Sequence, residues 1–247
     1  MEEKLFAEVF PCSEFGYIAD MNKRLAVVID VFRATSTMVT ALANGCQSII
    51  PVVTIEEALE ARLQHTGALL GGERKALRIE GFDLGNSPFD YVPEKIGGKK
   101  IVMTTTNGTR AIKSVENAKH VWMASFLNIE SIVHAIFRKL EKEKDIEGIV
   151  IVCAGTENRF DIPDTICSGM IVDKLGSDIK SNDLGRAAQM LYNISKNDLP
   201  KVLENSEHGQ RLISLGLNKD LAYCSTLNIL PIVPKLYKGE VVWKTDN

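Results

Sequence analysis

Residues 27 to 37 read VVIDVFRATST. An apolar run ends in an acid, Asp30, and is followed at once by Arg33 and the hydroxyls of Thr35, Ser36 and Thr37. A strand that only had to stop would use Gly, Asn or Pro. A helix beginning here exposes backbone N–H groups and the positive end of its dipole, which favours an anion. Arg33 adds a guanidinium able to grip phosphate oxygens in a fork. Plain helix capping needs one hydroxyl, not three and an arginine.

TTTNGTR, residues 104 to 110, repeats this chemistry. Asn107-Gly108 gives a backbone free to approach a ligand closely. Thr104, Thr105, Thr106 and Thr109 offer hydroxyls, and Arg110 a charge. An Asn-Gly hairpin is the competing interpretation, but Ala111, Ile112 and Val115 continue with a helical period. Two anion cradles in one chain predict a small substrate carrying more than one negative group.

Acids stand beside the cradles: Asp30, Glu73 after LLGG, and Asp161 and Asp164 after GIVIVCA. Carboxylates next to a bound anion repel it unless a cation intervenes. Hard oxygen ligands completed by phosphate oxygens are the usual surroundings of Mg²⁺. Such an ion polarises a phosphoryl group and acidifies an attacking water. Helix capping accounts equally for a single acid near a helix start, and Asp161 and Asp164 are most open to it. CAGTENR, residues 153 to 159, offers another route, because Cys153 and Arg159 have the C-x5-R spacing of cysteine-dependent phosphatases. Val152 stands where those enzymes carry histidine and Phe160 where they carry a hydroxyl, so the motif is half present. Asp30-Val31-Phe32 likewise lacks the second aspartate of the haloacid-dehalogenase signature. Metal-activated water, Asp30 and Cys153 all remain open as the attacking group. His65, His120, His134 and His208 occur singly, without metal-spaced partners, and are expected at the surface or partly buried.

The elements that must position these groups alternate. Apolar runs predict strands at 4–10, 25–31, 47–53, 68–71, 99–104, 119–124, 147–153 and 231–236. Helical periods predict helices at 36–44, 55–65, 107–116, 128–141, 164–175, 183–194 and 207–215. Strands apolar nearly throughout, such as GIVIVCA, need cover on both faces, which predicts an α/β protein: a three-layer α/β/α arrangement with a largely parallel sheet. The segments beginning at RLAVVID and KKIVMTT echo each other as two related βαβ halves, with Thr37 opposite Thr109 and Ile49 opposite Val121. Residues 72–98 interrupt the alternation, and a loop so long is functional or disordered; Leu77, Ile79, Phe82, Leu84 and Phe89 argue for order. No Pro-, Gly- or Ser-rich linker divides the chain, so residues 1–247 are read as one domain.

Composition narrows the partners. Of 247 residues, 45% are apolar and 25% charged, ordinary for a globular protein with a sizeable core. A net charge of -3 excludes a broad nucleic-acid footprint but not a local anion pocket. Acids replace the basic start of a signal peptide, and no apolar run reaches 18 residues. Five scattered cysteines suggest neither zinc nor a disulfide framework. A cytoplasmic protein without membrane contact is expected, with a homo-oligomer left open.

Taken together, IDVFRATST, GGERKALRIEGFDLGNSP, TTTNGTRAI and CAGTENRFDIPDTICSG resemble the 2-phosphosulfolactate phosphatase family. The likeness continues to RLISLGLNKDLAYC and PIVPKL. The resemblance implies an α/β/α fold, dependence on Mg²⁺, and hydrolysis of (R)-2-phospho-3-sulfolactate to 3-sulfolactate and phosphate, as in coenzyme M biosynthesis. It suggests Asp30, Glu73 and Asp164 as metal ligands or water activators. Pro163-Asp164 stands where an acidic pair is common in the family, so Asp164 inherits that role more safely than Asp161. Arg33, Thr35, Ser36 and Thr37 are expected against the phosphate. Arg74, Asn86, Ser87, Thr105, Thr106, Asn107, Gly108 and Thr109 are expected to hold the remaining anions, with Cys153 lining the site. A phosphatase of wider taste for 2-phosphorylated hydroxy acids and a non-catalytic binder of small multi-anionic acids are the alternatives.

Overall fold

The computed structural model describes residues 5–14 and 20–243. Among them, eleven strands form one sheet, and the alternation read in the sequence is present. Strand β1 is Phe6–Phe10, β2 Arg24–Ile29, β3 Ser48–Val52, β4 Leu69–Arg74, β5 Leu77–Arg78, β6 Lys100–Thr104, β7 His120–Ala124, β8 Gly148–Cys153, β9 Lys180–Ser181, β10 Lys235–Tyr237 and β11 Glu240–Val242. Helices are α1 Ala34–Ala43, α2 Ile55–Gln64, α3 Pro93–Ile96, α4 Gly108–Ser114, α5 Ile129–Lys142, α6 Ile162–Leu175, α7 Asp183–Ser195, α8 Leu199–Glu204, α9 Glu207–Ser214 and α10 Asn218–Cys224. The expected first strand, 4–10, begins in part outside the described residues.

The sheet order is β5-β4-β6-β3-β11-β10-β7-β2-β8-β1-β9. Pairing is parallel within β4-β6-β3 and within β7-β2-β8-β1-β9. The hairpin β10-β11 joins the blocks through three successive antiparallel pairings, which leaves them running in opposite senses. Outward from the hairpin the order is β3, β6, β4 on one side and β7, β2, β8 on the other. The echoing segments β2-α1-β3 and β6-α4-β7 thus occupy corresponding places, each starting in one block and ending in the other.

Strands apolar on both faces are explained by what they cover. Val28 of β2, Met103 of β6 and Met123 of β7 join α1 and α4 in one core, through Met38, Leu42 and Ile112. Alternate residues point the other way. Val27 and Ile29 join Ile151, Ile166, Leu212 and Leu221 in a core under α6, α9 and α10. Val102 meets Leu70, Ala58 and Phe82 in a third. The result is layered, with helices on both faces of the sheet.

Three local expectations change. The segment 72–98 is not all loop: β4 continues through Glu73 and Arg74, past two glycines that read as a break. A Cβ on Gly72 would collide with the carbonyl oxygen of Thr104 on β6, so these glycines permit close strand approach instead of ending the strand. The strand expected at 231–236 is confined to β10, because Pro231 and Pro234 lack the N–H a ladder needs. Helices α8 and α10, of 6 and 7 residues, were too short for a period to reveal.

Candidate active site

Two strand-to-helix corners meet. Leaving β2, Asp30 turns the chain into α1. Its Oδ1 accepts the Ala34 N–H at 2.9 Å, and its own N–H is held by Thr35 Oγ1 at 2.9 Å. Thr35 Oγ1 donates in turn to the Asp30 carbonyl at 2.8 Å. After β6 the same brace recurs, with Thr109 Oγ1 donating to the Thr105 carbonyl at 3.0 Å and accepting the Thr105 N–H at 3.2 Å. Thr35, not Thr37, therefore corresponds to Thr109, while Ile49 and Val121 hold matching places in β3 and β7. The first turn is one residue longer than the second, and α1 has 10 residues against 7 in α4. Thr105 occupies the place of Asp30, so only one corner carries an acid.

The corners touch at Gly108, where an added Cβ would meet Ala34 Cβ and lie 2.7 Å from Asp30 Oδ2. They open on a cavity of about 340 Å³. Asp30, Arg33, Glu73, Arg74, Asn86, Thr106 and Asn107 are among its lining residues, joined by Lys75, Thr156, Glu157, His208 and Arg211.

Glu73 is buried and reaches the wall from β4. Its Oε1 accepts the Thr106 N–H at 2.7 Å and its Oε2 the Ala76 N–H at 2.7 Å. Lys75 and Ala76 form the two-residue turn between β4 and β5, both with positive φ (54° and 68°), a conformation side chains disfavour. That turn is clamped from two sides, since Arg33 Nη2 donates to the Ala76 carbonyl at 2.7 Å. Arg33 is itself buried and pairs through Nη1 with Asp220 of α10, whose other oxygen accepts Ser87 Oγ at 2.7 Å.

Burial dominates the electrostatics. It raises the Asp30 carboxyl to about 6, with the Glu73 and Asp161 charges adding and the Ala34 N–H and His208 opposing. Burial, then the Asp161 and Asp30 charges, holds Asp164 well above the carboxylate range. His208 Nδ1 lies 3.3 Å from Asp161 Oδ2 and 3.1 Å from Thr156 Oγ1. Its ring packs edge-on against Phe32.

Several expected contacts do not face the cavity. Thr35, Ser36 and Thr37 are fully buried, and their hydroxyls bind the carbonyls of Asp30, Val31 and Asn86. Thr105 and Thr109 brace their own corner, Gly108 supplies closeness, and Ser87 steadies Asp220. Arg74 borders the cavity, but its guanidinium is engaged by the Glu73 and Val53 carbonyls and Thr104 Oγ1. Asp164 stands behind the lining. Its oxygens accept the Val31 N–H at 2.8 Å and the Gly155 N–H at 3.1 Å, so it fastens the Asp30 corner to the end of β8. Cys153 lies in the apolar core with its thiol pushed well up by burial, unsuited to thiolate attack. Arg159 is exposed.

Among the described residues, no trio of His, Cys, Asp or Glu is arranged to hold a metal ion by itself. Asp30 and Glu73 nevertheless share the cavity with Asn86, whose buried Oδ1 has no hydrogen-bond partner, as is also true of Thr106 Oγ1. Arg24 Nε, Ser48 Oγ and Ser125 Oγ are unpaired as well, but only Asn86 and Thr106 line the cavity, where an ion or an ordered water could complete them. Two carboxylates and an amide oxygen, completed by phosphate oxygens, suit Mg²⁺, which seldom uses an all-protein cage. His208, Arg211 and Asp220 were missed because they come from short helices far along the chain. The available signal was the spacing of His208, Arg211 and Leu212, which puts two polar groups beside the apolar stripe of α9.

Comparison with known proteins agrees in its extent with the whole fold. The family model described as 2-phosphosulpholactate phosphatase matches residues 17–239. A protein of Thermotoga petrophila named "Probable 2-phosphosulfolactate phosphatase" is 46% identical over 237 residues, covering 95% of this chain and 96% of that one. Proteins of the same name from Thermotoga maritima and Caldanaerobacter subterraneus subsp. tengcongensis are 45% and 43% identical, covering 95% and 92% of this chain and 96% and 93% of their own. With the match running through both corners, the hairpin turn and the late helices that close the cavity, this chain belongs to the 2-phosphosulfolactate phosphatase family.

Proposed function

We propose that the protein is a Mg²⁺-dependent phosphatase hydrolysing (R)-2-phospho-3-sulfolactate to 3-sulfolactate and phosphate, a step of the kind found in coenzyme M biosynthesis. The observation that carries the reading is the buried pair Asp30 and Glu73 on a cavity also bordered by Arg33, Lys75 and Arg211. Acids and cations together suit a phosphate ester bound against a cation. Five free cysteines support a reducing compartment, read here as the cytoplasm.

Asp30, Glu73 and the amide oxygen of Asn86 would hold the ion. When bound, it supplies a Lewis acid for the phosphoryl group and lowers the pKa of water. Arg33 presents its remaining N–H donors to phosphate oxygens, held in aim by Asp220 and the Ala76 carbonyl. His208, with Nδ1 turned to Asp161 and Thr156, keeps Nε2 to protonate the departing sulfolactate oxygen as water bonds to phosphorus and the ester P–O bond breaks. The water's protons stay on the phosphate formed until one is lost and His208 is reprotonated. Cys153 has no part in the reaction.

Phosphate release from phosphosulfolactate, measured with Mg²⁺ and with a chelator, tests the reading. Turnover is expected only with the metal. Equal rates in chelator would remove the cation from the mechanism, and tight binding without release would make the protein a receptor.

A further inference from the structure

The functional reading leaves open which groups recognise the sulfonate. In phosphosulfolactate this group is a fixed monoanion at every working pH and a weak acceptor, a poor match for a hard cation and a good one for a guanidinium. It also projects one bond further from the phosphorylated carbon than the carboxylate does. The wall bearing Asp30 and Glu73 has few free cationic groups to meet it. Arg33, held by Asp220 and the Ala76 carbonyl, is already assigned to the phosphate, and Arg74 is tied to two carbonyls and Thr104.

The α9 wall differs. Arg211 lines the cavity one turn after His208, and its guanidinium makes a single loose ion pair, 3.7 Å from Glu157 Oε1. Glu157 is largely exposed, so exchanging it for a bound anion costs little. Lys75, at the tip of the clamped hairpin, borders the same cavity with an exposed ammonium and no ion pair among the described residues. We infer that Arg211, assisted by Lys75, is the sulfonate-recognising residue and so sets the preference for a sulfonated over a plain 2-phosphorylated acid. The inference rests on the phosphatase reading above.

The test compares kcat/KM for phosphosulfolactate and for 2-phospholactate, which lacks the sulfonate, in wild type, Arg211→Gln, Arg211→Lys and Lys75→Met. Gln keeps the helix propensity of this position, and thermal unfolding of each variant checks its fold. In Arg211→Gln the ratio of the two values is expected to fall about 30-fold, the loss of one charge-assisted pair, carried mainly by KM. Arg211→Lys should recover part of the ratio, and Lys75→Met should lower it less. A ratio unchanged in Arg211→Gln overturns the inference while leaving the phosphatase reading intact. Absence of turnover by wild type on phosphosulfolactate overturns both.

Discussion

Asp30 shows how a single side chain trades stability for chemistry. Its carboxyl sits at about 6 in the fold against an ordinary 3.8, chiefly through burial. A carboxyl raised in this way binds more protons folded than unfolded. Its favourable contribution is therefore fullest below pH 3.8 and is lost as the pH rises through about 6. Above that pH the ionised group works against the metal-free fold by something on the order of 3 kcal/mol. Asp30→Asn should accordingly raise the melting temperature in chelator at pH 7.5 by about 5 °C and flatten the pH dependence between 4 and 7. The same substitution should cut phosphate release by at least about 1,000-fold if Asp30 holds the cation as proposed. Near-normal turnover would take Asp30 out of the site, and a lowered melting temperature would show that its charge is already compensated.

At the scale of elements, the two strand-helix corners matter because their N-terminal ends converge on one cavity. Each is braced by a threonine hydroxyl bonded back to the first residue after the strand, so the turn is held within the chain itself. Closeness depends on Gly108. Gly108→Ala puts a methyl 2.7 Å from Asp30 Oδ2 and against Ala34, and one corner must retreat. The expected result is a loss of about 1–3 kcal/mol in stability, typical of overpacking, and a fall of about 100-fold in kcat because the carboxylate moves. Denaturant unfolding and steady-state kinetics on one preparation measure both. Full activity would mean that the corners need not touch.

Over the whole molecule, the site is closed by contacts between parts of the chain far apart. Arg33 and Asp220 are 187 residues apart in sequence, and Ser87 reaches the same carboxylate from the middle segment. Both partners of this ion pair are buried, so removing one charge strands the other. Asp220→Asn should lower stability by about 3–5 kcal/mol and reduce kcat more than it raises KM, since Arg33 loses its aim. A calorimetric scan and kinetics with phosphosulfolactate check the two effects. Unchanged kcat would make the pair purely structural. The hairpin β10-β11 belongs to this scale too, because among the described residues it joins two parallel blocks that share no strand pairing of their own.

The sequence by itself determined the alternation of strands and helices, the two corners with their acid and hydroxyls, and the family. Apolar periodicity, turn chemistry and long motifs are local properties, written within a dozen residues. Tertiary structure alone decided which way the polar groups face. Thr35, Ser36 and Thr37 look like ligand donors in a string, yet a buried hydroxyl beside a free carbonyl must satisfy it, so they turn inward. Asp164 and Glu73 look equivalent as letters, but β4 carries Glu73 to the cavity wall while the start of α6 leaves Asp164 one layer behind. His208, Arg211 and Asp220 came together with the Asp30 corner only when α9 and α10 packed over the β2 block, a juxtaposition set by burial of Leu212 and Leu221 in the core that also holds Val31 and Phe32.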